Sequence, residues 1–306
     1  AAREYEHTAY GYAPHEQASA AGYAAVYAYR QHFSGLTGIE AERTQREIVR
    51  VSLRFGDTFP AHEKAAIVLG GAADDLYEMK DYPQTVAVGR RVIENYPAAE
   101  PAILRSAWLV VAHASFDLQQ FADAEEGYTQ VLQRTDLADK SRDALYENLA
   151  ASIYKQGEQA SQADDHATAA RHYLRIAQHA PNSTIRPTAE FDGAVALIQL
   201  KDWDGAAAVL RAFRTSFPGH ELQPEVTKRI AFVYREAGNL ALAAAEYERI
   251  ETESSDDEVR RGALLVAAEL YEEGKLLDRA IQVYQRYLGY FPRPLEPAVA
   301  GLAEPR

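Results

Sequence analysis

The chain has 306 residues, of which 47% are hydrophobic, a formal net charge of −13 and no cysteine. The acidic balance argues against binding to nucleic acid or anionic lipid, because both need a basic surface, so we expect neutral, apolar or basic partners. The absence of cysteine excludes disulfides and cysteine zinc sites, and no apolar run approaches the roughly 18–20 residues that direct membrane insertion requires.

The first sixty residues predict three helices that fit the later pattern only loosely. Residues 1–12 and 15–33 form the first two, and the second is rich in alanine and tyrosine. Thr37 and Glu40 have the spacing of a capping box, so a third helix is expected to start near Ile39.

A fixed period dominates the rest of the chain. Four boundary residues follow one another at intervals of 37, namely Pro181, Pro218, Ser255 and Pro292. Pro60 and Pro97 repeat the same interval. An aromatic residue precedes most of these prolines, and proline disfavours helix at the residue before it, so each step predicts a boundary. A period in this range is typical of repeat architectures.

Each repeat carries the pattern of two helices. Two small or apolar residues are followed by apolar positions three residues on, and a second small residue usually comes nine residues later. Further apolar positions then follow at four and seven residues, as in Ala124, Tyr128 and Val131. These spacings place side chains on one helical face, and a lone helical pair cannot bury its apolar stripe, so neighbouring pairs must stack.

The pattern resembles the tetratricopeptide repeat over roughly residues 61–292. The matching residues are Trp108, Val111, Ala112, Ala124, Tyr128 and Val131 in one unit, and Ile230, Ala231, Tyr234, Gly238, Ala243, Tyr247 and Ile250 in another. The resemblance implies an all-α fold, a right-handed α-solenoid of about seven stacked antiparallel helix pairs that form a superhelix. The long period and the aromatic–proline endings are similar to repeats of bacterial cell-envelope scaffolds.

The repeat pattern divides the chain into four predicted regions. Residues 1–60 are degenerate helices, 61–181 are repeats with an insertion near 155–168, 182–292 are regular repeats, and 293–306 start a further, truncated repeat. Both ends look cut, so we expect a segment excised from a longer repeat protein.

The insertion breaks the phase of the repeats. From Tyr154 to Ala169 the gap is 15 residues where other units have nine, so six residues are added. One interpretation is a helix prolonged by more than a turn plus a longer loop, and the other is a binding segment, since insertions in repeats often serve binding. Residues 164–166, Asp-Asp-His, leave a cation site open, although three adjacent residues do not make a ligand cage.

The sequence carries no recognisable catalytic motif. No nucleophile elbow, dinucleotide-binding motif or phosphate loop is present, and the nine histidines are scattered. We therefore predict no catalytic residue, no metal site and no cofactor, and hence a protein that is not an enzyme.

The resemblance supplies candidate binding residues, because the first helix of each tetratricopeptide pair lines a concave groove. The positions that match are Asp74, Tyr77, Leu109, His113, Phe116, Asn148, Ser152, Lys155, Phe191, Val195, Gln199, Arg229, Phe232, Arg235 and Glu269. Nine of these are the predicted partner-binding residues: Tyr77, His113, Phe116, Asn148, Ser152, Phe191, Gln199, Arg229 and Phe232. Aromatic and arginine anchors with amides suit an extended peptide or a partner helix. The alternative is that parts of this surface pack against flanking repeats.

The sequence thus predicts a non-catalytic scaffold that binds a protein or peptide partner in the periplasm, with an outer-membrane anchor left open for the full-length protein. One alternative is a periplasmic scaffold for exopolysaccharide export. Another is an enzyme, in which the repeats flank a catalytic domain or the insertion builds a site with carboxylates around His166. A third is a cytosolic regulator.

Overall fold

The computed structural model describes residues 1–133 and 139–291, and within these ranges it contains fifteen helices and no strand. In chain order they are α1 (Ala2–Tyr10), α2 (Ala18–Phe33), α3 (Gly38–Thr58), α4 (Ala65–Glu78), α5 (Tyr82–Asn95), α6 (Pro101–Asp117), α7 (Phe121–Gln133), α8 (Asp139–Gln162), α9 (His166–His179), α10 (Arg186–Gln199), α11 (Trp203–Ser216), α12 (Gln223–Glu236), α13 (Leu240–Glu253), α14 (Asp257–Glu273) and α15 (Leu277–Tyr290). The all-α prediction is confirmed for this part of the chain.

The helices after α1 form seven consecutive pairs, from α2 with α3 to α14 with α15. Sequential helices contact each other from α1 to α7 and from α9 to α15, as stacked hairpins require. The predicted stacking of helix pairs is therefore confirmed within each of these two stretches, whereas the right-handed course of a superhelix stays a prediction. The predicted repeat at 293–306 lies outside the described residues.

The chain divides into two compact units, each with its own core. The first ends at Ser152 and the second begins at Ile153. In the first unit, buried residues such as Leu69 and Val92 form one core cluster, and in the second, residues such as Leu210 and Ile230 form another. The four predicted sequence regions remain a prediction.

A three-residue turn with a left-handed centre joins the two helices in six of the described pairs. The central residue has φ between 56° and 74° at Lys80, Gln119, Asp164, Lys201, Gly238 and Lys275. After it, the N–H donates to the carbonyl five residues back, as from Asp81 to Leu76 at 2.9 Å. Helices commonly end with this hydrogen bond when the residue after the helix adopts the left-handed conformation. Most of the turns carry a non-glycine residue there, although this conformation costs about 1–2 kcal/mol.

The aromatic–proline boundaries share a compact arrangement of rings. The Phe213 ring lies 5.0 Å from that of Phe217 and 5.5 Å from that of His220. His220 Nδ1 accepts a hydrogen bond from the N–H of Leu222 at 3.2 Å, which satisfies a donor just before α12. The first unit repeats the arrangement with Phe55, Phe59, His62 and the N–H of Lys64.

The N-caps of α3 and α14 differ in the hydrogen bonds that they make. Thr37 stands at the N-cap of α3, as predicted, but its side chain makes no capping hydrogen bond. At α14 the N-cap is Asp256, whose carboxylate accepts from the N–H groups of Glu258 and Val259 at 2.8 and 3.2 Å. A charged acceptor makes the stronger cap bond.

Gly71, inside α4, makes room for a side chain of the same unit. A Cβ at this position would lie 2.7 Å from the Arg30 guanidinium. Arg30 reaches past it and donates to the carboxylate of Asp75 at 2.7 Å. Room for the Arg30 side chain therefore explains this glycine.

Among the described residues, no helix combines the length and apolar character that a bilayer crossing demands.

Candidate functional site

The predicted partner-binding residues lie on the first helices of five pairs, and we call the exposed side chains of these helices the first-helix face. Tyr77 lies on α4, His113 and Phe116 on α6, Asn148 and Ser152 on α8, Phe191 and Gln199 on α10, and Arg229 and Phe232 on α12. Five of these residues belong to the first compact unit and four to the second.

In the first unit, the structure brings Tyr77 and His113 together. Their ring centroids lie 6.0 Å apart, and the Tyr77 hydroxyl donates to Asp117 Oδ2 at 3.1 Å. His113 Nδ1 and the Tyr128 hydroxyl form a hydrogen bond of 2.7 Å. Burial lowers the pKa of His113, so its imidazole is neutral near pH 7. The result is a half-buried patch of aromatic and polar groups.

The other predicted residues of this unit do not join that patch. Phe116 packs edge-on against Phe121 of α7, with 5.2 Å between ring centroids, and therefore holds its own pair together. Asn148 is half-buried.

The prediction that Ser152 binds a partner is wrong. This residue is 0% exposed, and its hydroxyl donates to the carbonyl of Asn148 at 2.9 Å within α8. A hydroxyl buried in this way does not line a binding surface.

In the second unit, Phe232 is the predicted residue with the clearest exposed apolar surface. Its side chain is 41% exposed, and its ring meets the edge of Trp203 at 6.2 Å. Trp203 and Trp108 are both half-buried. Phe191 packs against the core cluster of this unit, and Arg229 forms an ion pair with Glu225 at 3.1 Å one turn earlier.

Gln199 lines a recess among α8, α9 and α10 that we call the α8–α10 recess. Its volume is about 300 Å³. The lining residues are Tyr154, Glu158, Ser161, His166, Tyr173, Asp192, Val195, Ala196 and Gln199. Several of them come from the insertion or its edges, so the break in repeat phase was the sequence signal that pointed here.

The six added residues prolong α8 and leave the turn unchanged. The turn to α9 keeps the three-residue form, at residues 163–165. Six helical residues add about 9 Å of length at 1.5 Å per residue. The prolonged-helix interpretation is therefore confirmed, and the expected longer loop is wrong.

Two tyrosines and a carboxylate form one wall of the recess. The Tyr154 hydroxyl donates to Asp192 Oδ2 at 2.6 Å, and the rings of Tyr154 and Tyr173 lie 5.1 Å apart. Burial raises the pKa of Asp192, against the opposing effect of the Tyr154 hydrogen bond. The other carboxylate, Glu158, pairs with Lys155 at 2.5 Å.

Gly157 permits this wall to form. A Cβ on Gly157 would lie 2.6 Å from the Tyr173 ring, so a larger residue would push the ring away from α8. Gly157, Tyr173 and Asp192 were not predicted as site residues, since no motif marks them and the contact joins three helices.

The Asp-Asp-His sequence at 164–166 does not converge on one point. Asp165 caps α9, because its carboxylate accepts from the Thr168 N–H at 3.0 Å, and this bond lowers its pKa. Asp164 is the left-handed residue of the turn, and His166 faces the recess. Across the described residues, no group of three or more histidine and acidic side chains is placed to hold a metal ion.

The raised pKa of Asp192 predicts how stability depends on pH. Since the folded-state pKa lies above the unfolded value of about 3.9, folding disfavours the charged form, and stability falls as pH rises through the window between the two values. We expect Asp192→Asn to remove this fall in stability with rising pH, because asparagine carries no titratable carboxyl group. Urea unfolding of both proteins from pH 3 to pH 7 should show the variant gaining relative stability with increasing pH, and a constant difference would refute the burial effect.

Stacked helical hairpins with a regular turn define the protein as an α-helical repeat protein. Residues 189–220 and 263–293 match the tetratricopeptide repeat family model. These segments overlap two of the seven pairs, α10 with α11 and α14 with α15, so this part of the chain carries tetratricopeptide repeats. No curated protein sequence matches the chain.

Three solved structures have some likeness to the chain at low sequence identity. The TPR2AB domain of yeast Sti1, solved in complex with pHSP90, is 15% identical, with 86% of this chain and 98% of that chain covered and a TM-score of 0.33. PilW, a type IV pilus biogenesis factor, is 15% identical, with coverage of 79% and 99% and a TM-score of 0.34. YrrB, a protein with an unusual peptide-binding site, is 14% identical, with coverage of 68% and 95% and a TM-score of 0.35.

Proposed function

We propose that the protein is a non-catalytic scaffold that binds a protein partner, as an extended peptide or a helix, along its first-helix face. The observation that carries this proposal is Phe232, an aromatic side chain 41% exposed on α12 beside the half-buried Trp203. Aromatic residues dominate the binding energy at protein interfaces, and an exposed one on a rigid helix loses little entropy on binding. The net charge of −13 supports partners that are not nucleic acids.

The setting we propose is the bacterial cell envelope, with the protein in the periplasm and an outer-membrane anchor left open for its full-length form. The 37-residue period and the aromatic–proline endings support this proposal, since they are similar to repeats of envelope scaffolds. A scaffold for exopolysaccharide export has the same support and differs only in its partner.

A catalytic role is the second candidate, because the α8–α10 recess holds two carboxylates and His166. Both carboxylates already have partners, which favours a binding role over a catalytic one. Glu158 is neutralised by Lys155, and Asp192 already accepts a hydrogen bond from Tyr154. A general base needs a carboxylate that is free to take a proton from the substrate.

Affinity capture from envelope extracts tests the scaffold proposal. We expect Phe232→Ala to weaken recovery of the partner by about 2 kcal/mol of binding free energy or more, as for an interface anchor. Leu242→Ala is the matched control, because Leu242 is an apolar side chain, 50% exposed, on the second helix α13. Equal recovery by the wild type and both variants, with unchanged circular dichroism, would remove Phe232 from the binding surface.

A further inference from the structure

We propose that the α8–α10 recess binds the guanidinium group of an arginine side chain in the partner. This inference rests on the proposed scaffold function and names the chemistry of one contact. It concerns the second compact unit alone, since all the lining residues belong to that unit.

Asp192 presents a carboxylate to the recess without a cation beside it. It is half-buried, and its hydrogen bond in the described part of the chain comes from the neutral Tyr154 hydroxyl at 2.6 Å. No lysine, arginine or histidine among the described residues forms an ion pair with it, and the charged neighbour that acts on it is Glu158, whose own partner is Lys155. Removing a carboxylate from water costs free energy unless it is paired, so a cationic ligand fits here.

The aromatic wall of the recess suits a planar cation. The rings of Tyr154 and Tyr173 lie 5.1 Å apart at 49° to each other, and both line the recess. A guanidinium within about 6 Å of an aromatic centroid gains cation–π attraction, and its planar form also stacks on the ring. The Tyr154 hydroxyl is held by Asp192, which fixes that ring in place.

The size and polarity of the recess match a single basic side chain. A volume of about 300 Å³ is at the lower end of the range of roughly 300–1,000 Å³ for ligand pockets. Ser161 and Gln199 also line the recess, and each has a side-chain oxygen that can accept a hydrogen bond. A guanidinium carries five N–H donors and no acceptor. The carboxylate, hydroxyl and amide oxygens that line the recess therefore suit a guanidinium better than they suit an anion. The acidic net charge of the chain would also attract a basic segment.

The prolonged helix gives the insertion a role in this site. Glu158 and Ser161 lie on the added part of α8, and Gly157 lets the Tyr173 ring approach that helix. Without these six residues, α8 would end about 9 Å earlier and the recess would lose that side.

The test is an NMR titration of the ¹⁵N-labelled protein with N-acetyl-arginine amide, with N-acetyl-citrulline amide as the neutral, isosteric control. We expect saturable shifts of the backbone amides of Tyr154, Glu158 and Asp192 with the arginine compound and none with citrulline. Asp192→Asn should weaken binding by roughly tenfold or more, because a half-buried charge pair is lost. Asp204→Asn, an exposed carboxylate on α11 outside the recess, should leave it unchanged.

The outcomes of the titration distinguish failure of this inference from failure of the scaffold proposal. No saturable shift with the arginine compound, or equal shifts with citrulline, overturns the recess assignment. If Asp192→Asn fails to fold, Glu158→Gln replaces it with the same expected direction, and unchanged affinity in a folded variant also overturns the assignment. Partner capture through Phe232 that persists when arginine does not bind would mean that the recess inference alone has failed.

Discussion

Phe213→Ala should lower the free energy of unfolding of the second unit by about 3–5 kcal/mol, the range for removing a buried phenylalanine. Phe213 is 0% exposed and contacts the rings of Phe217 and His220 at 5.0 and 5.5 Å. The substitution leaves a cavity at the boundary that joins α11 to α12. Urea unfolding followed by circular dichroism measures the effect.

Phe232→Ala provides the matched control for this prediction, because it removes the same side chain from a position 41% exposed. Surface substitutions change stability by within about 0.5 kcal/mol. A loss below about 1 kcal/mol at position 213, or equal losses at both positions, would mean that the aromatic boundary does not hold the repeats together.

Gly127→Leu should destabilise the first unit by about 2 kcal/mol. A Cβ on Gly127 would lie 2.7 Å from the Cβ of Ala112 and 3.1 Å from the backbone oxygen of Trp108. Neither atom can rotate away, so α6 and α7 must separate, and overpacking of this kind costs roughly 1–3 kcal/mol and occasionally more. Leucine favours helix over glycine by about 0.8–1 kcal/mol. This gain offsets only part of an overpacking cost of about 3 kcal/mol.

The same substitution at Gly262 separates the cost of overpacking from the gain in helix propensity. Gly262 lies in α14, and a Cβ added there would meet no atom within 4 Å, so Gly262→Leu gains helix propensity without a clash. It should be neutral or stabilising in thermal unfolding. If Gly127→Leu and Gly262→Leu change the unfolding temperature by the same amount, close packing between α6 and α7 does not explain why residue 127 is a glycine.

The helices and their pairing were predictable from sequence because the signal repeats. For example, α11 runs from Trp203 to Ser216 and ends directly before the Phe217–Pro218 boundary that the sequence marks. A period of 37 residues, with proline at the boundaries, fixes both ends of each pair. The left-handed turns carry no comparable mark, because lysine occupies the centre at Lys80, Lys201 and Lys275, where glycine would be the usual signal.

The candidate site was only partly predictable. Matching to the repeat placed Phe232 and Gln199 at exposed positions, as the structure has them, but also placed Ser152 on a surface although it is buried. Counting along one helix does not show which side chains a neighbouring helix covers. Tyr173 and Asp192 meet Tyr154 only through the packing of α9 and α10 against α8, which no local pattern encodes.

Site-specific photo-crosslinking tests the central claim most directly, namely that partners bind on the first helices. A benzoylphenylalanine is introduced at position 232 on α12 or at position 242 on α13, both exposed apolar positions, in cells that make the full-length protein. We predict a discrete crosslinked partner from position 232 and none from position 242. Crosslinking from position 242 alone, or equally from both, would contradict the claim.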